Sequence, residues 1–154
     1  MNRRRDVLVL GLGNPLRGDD GVGPRVIAEL EDHGLPEGIE TLDAGTGGLD
    51  LLHVMEDHER IVIVDAAEIG KESGQFVRFT PDEVLLVESG GRFSLHHAGL
   101  AEILALTRAL NRPLPPVVMF GVQPEDIGWG QGLSPKVEAG LPTLIDAVLA
   151  EITQ

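Results

Sequence analysis

The stretch Gly11-Leu-Gly-Asn-Pro-Leu-Arg-Gly-Asp-Asp-Gly-Val-Gly23 limits what this chain can fold into more than any other. An apolar run, Val7 to Leu10, precedes it, and a helical pattern of Val22, Val26, Ile27 and Leu30 follows it. The stretch is therefore predicted to join a first buried strand to a first helix. Glycine at 11, 13, 18, 21 and 23 permits positive φ or close backbone approach, and Asn14-Pro15 sets a turn. Asp19 and Asp20 fall where the helix should start. A carboxylate there can accept from the free N–H groups of the first turn and suits the positive end of the helix dipole. The same pair could instead hold a cation or work on protons, and the residues alone leave both uses open.

A phosphate cradle is excluded. The dinucleotide fingerprint needs a glycine or alanine three residues after its second glycine, and Leu16 stands there. A phosphate-binding helix start must also be free of competing anions, whereas two carboxylates occupy this one.

At 154 residues the chain has the length of one domain, expected to span 1–154. With 42% hydrophobic and 24% charged residues it should build a core rather than remain disordered. The formal net charge of -13 argues against a nucleic-acid partner, which needs a basic footprint, and against an anionic membrane surface. The lack of Cys removes disulfides, zinc–thiolate sites and a cysteine nucleophile together. Aromatic content of 3% with no Tyr leaves no base-stacking platform. Met1-Asn-Arg-Arg-Arg5 has the charge of a signal-peptide start, but the apolar run after it is short and has no small-residue cleavage site. No run is long enough to span a bilayer. The expectation is a cytoplasmic protein.

Further along, His33-Gly-Leu-Pro-Glu-Gly38 stops the first helix. Ile39 to Ala44 reads as a second strand, with Asp43 near its end and a second glycine-rich turn, Gly45-Thr-Gly-Gly48, after it. Leu49 to Met55 suits a helix. Arg60 to Val64 is the clearest buried strand, β-branched and unbroken, expected to end on Asp65. Phe76 to Thr80 alternates as an edge strand or hairpin arm does. Ser94 to Gly99 is predicted to open a helix that continues to Leu110. Pro116 to Gly121 is the last strand, and Gly128 to Pro135 reads as a mobile loop. Ser134-Pro135 then starts a final helix with a stripe of Val137, Leu141, Leu144, Ile145, Val148 and Leu149.

Strands alternating with helices predict an α/β three-layer sandwich: a mostly parallel central sheet of about five strands, with helices on both faces. Sites in such sheets lie outside the carboxyl ends of the strands, where this pattern collects Asp19, Asp20, Asp43 and Asp65. His96 and His97 lie beyond the edge strand. Asp20, Asp65 and one histidine, if they meet, form a mixed oxygen and nitrogen set suited to a borderline divalent metal such as nickel or zinc. Each also has a plainer use, as a loop-amide acceptor, a helix cap or a surface residue. His33, His53 and His58 are given no role, and Glu125 and Asp126 are expected to be solvated.

The chain resembles the hydrogenase maturation endopeptidases, which process the large subunit of nickel-iron hydrogenases. The resemblance rests on Gly11-Leu-Gly-Asn-Pro15 with Gly18-Asp-Asp-Gly-Val-Gly23, Leu42-Asp-Ala-Gly-Thr46 and Val64-Asp-Ala66. It continues in Ser94-Leu-His-His-Ala-Gly-Leu100, Gly121-Val-Gln-Pro-Glu125 and Gly132-Leu-Ser-Pro-Lys-Val137. These follow the family's order across nearly the whole chain. The resemblance implies that Asp20, Asp65 and His96 bind a metal and serve catalysis, and that Asp43, with Gly45 and Thr46, handles substrate. Some family members carry Glu in place of Asp20. The implied reaction is one cut that removes a C-terminal extension from the large-subunit precursor after nickel insertion. The nickel is carried by the substrate, and zinc or cadmium can occupy the site in vitro.

Two other functions compete. Peptidyl-tRNA hydrolases share Gly-Leu-Gly-Asn-Pro after a first strand, but they place a catalytic histidine soon after it, and here no histidine precedes His33. A non-catalytic, nickel-dependent module that docks on the hydrogenase is the third, and it would leave the precursor's length unchanged.

Overall fold

The computed structural model describes residues 5–45, 50–80, 94–95, 111 and 114–154. Strand β1 (Arg5–Leu12) leads through the glycine-rich connection into a 3-10 turn (Gly18–Gly21) and helix α1 (Val22–His33). Then come β2 (Ile39–Gly45), α2 (Asp50–Glu56), β3 (His58–Glu68), β4 (Phe76–Phe79), the short β5 (Ser94–Leu95), β6 (Val117–Val122) and helix α3 (Pro135–Ile152). The main sheet runs β2-β1-β3-β6-β4. Its first four strands are parallel, and β4 is antiparallel to β6 at the edge. The predicted mostly parallel sheet between helices is the observed one.

The central strands β1, β3 and β6 carry unbroken apolar runs because both faces of the sheet are covered there. Along β1, Val7 and Val9 join one buried cluster with Val26 and Leu30 of α1 and Leu144 and Val148 of α3. Leu8, Leu10 and Leu12 point the other way, into a second cluster with Met55 of α2. The strand period of two makes the same division in β3, where Val62 and Val64 face the first cluster and Ile61 and Ile63 the second. Each such side chain, fully buried, contributes roughly 1.5–3 kcal/mol.

Helix α1 starts hard against the sheet, which glycine alone permits. A Cβ on Gly23 would lie 2.6 Å from the Val64 carbonyl oxygen, and one on Gly11 2.5 Å from that of Gly23. The opening turn of α1 is thereby pressed onto the ends of β1 and β3.

Three expectations are corrected. Strand β3 does not end on Asp65 but runs three residues further, because β6 keeps pairing through Ala66–Val122 and β5 then takes Ala67 and Glu68. Ser94-Leu95 does not open a helix; it is that antiparallel partner of β3. The rest of the helix predicted there, with His96 and His97, lies outside the described residues, as does the whole 81–92 stretch before it. The loop 128–135 is tied down rather than loose. The Gly18 amide donates to the Gly130 carbonyl, and the Gly130 amide to that of Leu16, both at 2.8 Å.

Candidate active site

The carboxyl ends of the parallel strands carry the acids. Register places Asp43 of β2 beside Gly11 of β1, and Gly11 beside Val64 of β3, so Asp65 stands one residue beyond that row. Asp65 is 1% exposed and pairs in register with Gly121 of β6. The 3-10 turn bearing Asp19 and Asp20 packs against β3. Asp20 is 4% exposed, and its Oδ2 accepts the Asn14 amide at 2.9 Å. The glycine-rich connection thus curls back to hold the acid at its far end.

Asp19, its neighbour, has a different task. Its Oδ2 accepts the amides of Glu125 and Asp126 at 2.8 and 3.0 Å and the Ser134 hydroxyl at 2.8 Å. Its Oδ1 accepts the Ser134 amide at 2.7 Å. Burial by itself would raise the Asp19 pKa. The amides of Asp126, Ser134 and Glu125 and the Ser134 hydroxyl together outweigh it and hold the carboxyl below its ordinary range. Neither acid caps α1, whose N-cap position is Gly21.

Asp43 is exposed, and its Oδ1 accepts the Gly45 amide at 3.1 Å. That bond bends the end of β2 into a turn with Gly45 at φ 58°, a left-handed value that suits glycine. The Gly45 carbonyl in turn accepts the Gly13 amide at 2.8 Å, joining the two glycine-rich turns. Of the predicted site residues, Asp20, Asp43, Gly45 and Asp65 thus share one edge of the sheet, while Thr46 and His96 lie outside the described residues. Among the described residues no group of three or more His, Cys, Asp or Glu is placed to hold a metal ion.

The sequence did not reveal what Asp19 binds. Three of its four donors are backbone amides, which no residue type announces, and the fourth, Ser134, carries only the signature of a helix start. Glu125 and Asp126 have exposed side chains, as expected, but contribute their amides. His58 is buried, with Nδ1 2.7 Å from the Val54 carbonyl and Nε2 2.7 Å from Glu40, which places it in the scaffold at the far end of β3.

A parallel α/β sheet with buried acids gathered at its carboxyl edge places the candidate site on the strand-end loops. The family model for hydrogenase maturation proteases (HycI) matches residues 24–151, and the chain belongs to that family. It is 33% identical to the hydrogenase 2 maturation protease of Escherichia coli, over 96% of this chain and 91% of that one. It is 35% identical to the hydrogenase expression/formation protein HupD of Bradyrhizobium diazoefficiens, over 94% of this chain and 78% of the relative. The fold superposes on the hydrogenase maturating endopeptidase HybD from E. coli with a TM-score of 0.81, covering 96% of this chain and 92% of that one at 33% identity. The chain is therefore a peptide-bond hydrolase of the maturation class.

Proposed function

We propose that this protease removes the C-terminal extension of a nickel-iron hydrogenase large-subunit precursor, in one cut made after nickel insertion, acting in the cytoplasm as one domain over residues 1–154. The observation that carries the proposal is the pair of almost wholly buried carboxylates, Asp20 and Asp65, on a turn and a strand packed together at the carboxyl edge of the sheet. Burying a charge costs stability unless it is paired and hydrogen-bonded, and acids kept at strand-end loops are placed where binding and catalytic residues concentrate.

Asp20, Asp65 and His96 form the proposed catalytic and metal-holding set. Two carboxylates and an imidazole fit a borderline divalent ion and leave coordination positions open, as catalytic sites do. The metal, when bound, polarises the scissile carbonyl or lowers the pKa of water. Nickel arrives with the substrate, and zinc or cadmium can stand in for it in vitro. The Asn14 amide holds one oxygen of Asp20, which orients the acid. Asp19 is spent on four donors, which favours Asp20 over its neighbour for the chemistry. Asp43, Gly45 and Thr46, at the end of β2, receive the substrate.

The test is purified precursor with and without nickel, scored by gel shift, beside a casein control. Cleavage of the nickel-loaded precursor alone is expected. Equal cleavage of the nickel-free form, or digestion of casein, would refute the dependence on substrate nickel. Binding that leaves the precursor's length unchanged would make this a docking module instead.

A further inference from the structure

Among the described residues two large hydrophobic side chains stand exposed, Leu16 at 49% and Trp129 at 80%. Scattered exposed apolar groups are ordinary, but these two are brought together from distant parts of the chain and held there. Arg17 and Gly130 form a parallel bridge, flanked by the two backbone bonds between Gly130 and the Leu16 and Gly18 segment. Arg17 Nε donates to the Ile127 carbonyl at 3.2 Å, and its guanidinium carbon lies 5.5 Å from the centre of the Trp129 ring. Beneath them Asp19 binds the amides of Glu125 and Asp126, so both loops are fixed at their base.

We propose that Leu16, Arg17 and Trp129 are the surface on which the folded body of the precursor docks, an inference that rests on the function proposed above. Tryptophan and arginine are among the residues enriched in binding hot spots, and here the backbone beneath both is fixed by hydrogen bonds, which lowers the entropy cost of docking. The ring projects from the surface, so the partner supplies the recess. That fits a folded protein and not an extended tail, which would need a groove on this chain. The patch adjoins the edge that carries Asp20, because the Leu16 amide donates to Asn14 Oδ1 at 3.0 Å and the Asn14 amide to Asp20 Oδ2 at 2.9 Å. A precursor seated for cutting there meets the patch. The net charge of -13 disfavours an anionic bilayer as the occupant.

Trp129 is the chain's one tryptophan, so enzyme labelled with 5-fluorotryptophan gives a single fluorine NMR resonance from this patch. Adding nickel-loaded precursor should shift or broaden it. Trp129→Ala and Leu16→Ser should each raise KM by roughly tenfold, the loss falling on KM rather than kcat, with Trp129→Phe recovering part of it. A resonance unmoved by precursor that is being cut, or an unchanged KM in both alanine and serine variants, overturns the docking surface and leaves the cleavage reaction standing. A shifted resonance with uncut precursor does the reverse. A shift caused by phosphatidylglycerol vesicles but not by precursor assigns the patch to a membrane. A shift that follows enzyme concentration alone assigns it to a second copy, and either result overturns the proposal.

Discussion

Asp19 and Ser134 are joined twice, carboxylate to amide at 2.7 Å and hydroxyl to carboxylate at 2.8 Å. Ser134 is the N-cap of α3, where a serine ordinarily accepts from its own helix. Here it gives its hydroxyl away, and the carboxylate of Asp19 joins the first-turn Glu138 as negative charge at the start of α3. An acid from the first connection thus does for the last helix what the sequence suggested it might do for the first.

Removing that acid should unfold more than a loop. Asp19→Asn keeps the shape but turns an acceptor into a donor facing amides, and it should cost about 2–4 kcal/mol in urea unfolding. Ser134→Ala loses the hydroxyl alone and should cost about 1 kcal/mol. Equal, negligible losses for both would show that the four bonds add nothing net.

The same carboxyl sets an acid limit on stability. Its folded pKa lies below the unfolded value, so its contribution is full above the ordinary carboxylate range and fades as pH falls through the folded pKa. Metal-free wild type should therefore lose stability below about pH 4, and Asp19→Asn should lose less over that span. Parallel acid limbs in the two proteins would contradict the lowered pKa.

The ligand assignment predicts that Asp20→Asn, Asp65→Asn and His96→Ala each cut precursor processing by more than about 100-fold while circular dichroism stays native. His97→Ala should retain activity, since on the helix that the sequence predicts there adjacent positions face different ways. Wild-type cleavage by all three ligand variants would remove the metal site from these residues.

Asp43→Asn separates substrate handling from metal binding. Asp43 bends the turn at Gly45 from an exposed position. The variant should bind a divalent metal in calorimetry as wild type does and differ in which precursor it accepts. A lost binding event would make Asp43 a ligand.

Gly23→Ala puts a methyl group against the Val64 carbonyl, one residue before Asp65. It should cost about 1–3 kcal/mol, with lowered activity as the opening of α1 is pushed off β3. A variant as stable and active as wild type would show that this contact can relax freely.

Val7 to Leu10 and Ile61 to Val64 were legible as strands because burial on both faces leaves no polar residue to interrupt them. The stripe of α1 was equally plain, since Val22, Val26, Ile27 and Leu30 repeat at the helical period and all four are buried. Element ends were harder to read. Whether β3 stops at Asp65 depends on what pairs beside it, and Ser94-Leu95 became a strand for the same non-local reason. Asp20 and Asp65 were visible as candidates because the strand pattern collects them at the carboxyl edge, where sites in such sheets lie. The work of Asp19 was hidden, since its partners are mostly amides over a hundred residues away.

That span has a consequence for timing. The turn that presents Asp20 is translated early, but its anchor is residues 125, 126 and 134 and the helix that begins after them. While a ribosome is still making the middle of the chain, Asp19 has nothing to accept from, and the neighbouring acid sits on an unanchored segment. The final geometry of this turn is therefore among the last features the nascent chain acquires, and a chain that stops before residue 125 lacks all four donors that hold Asp19.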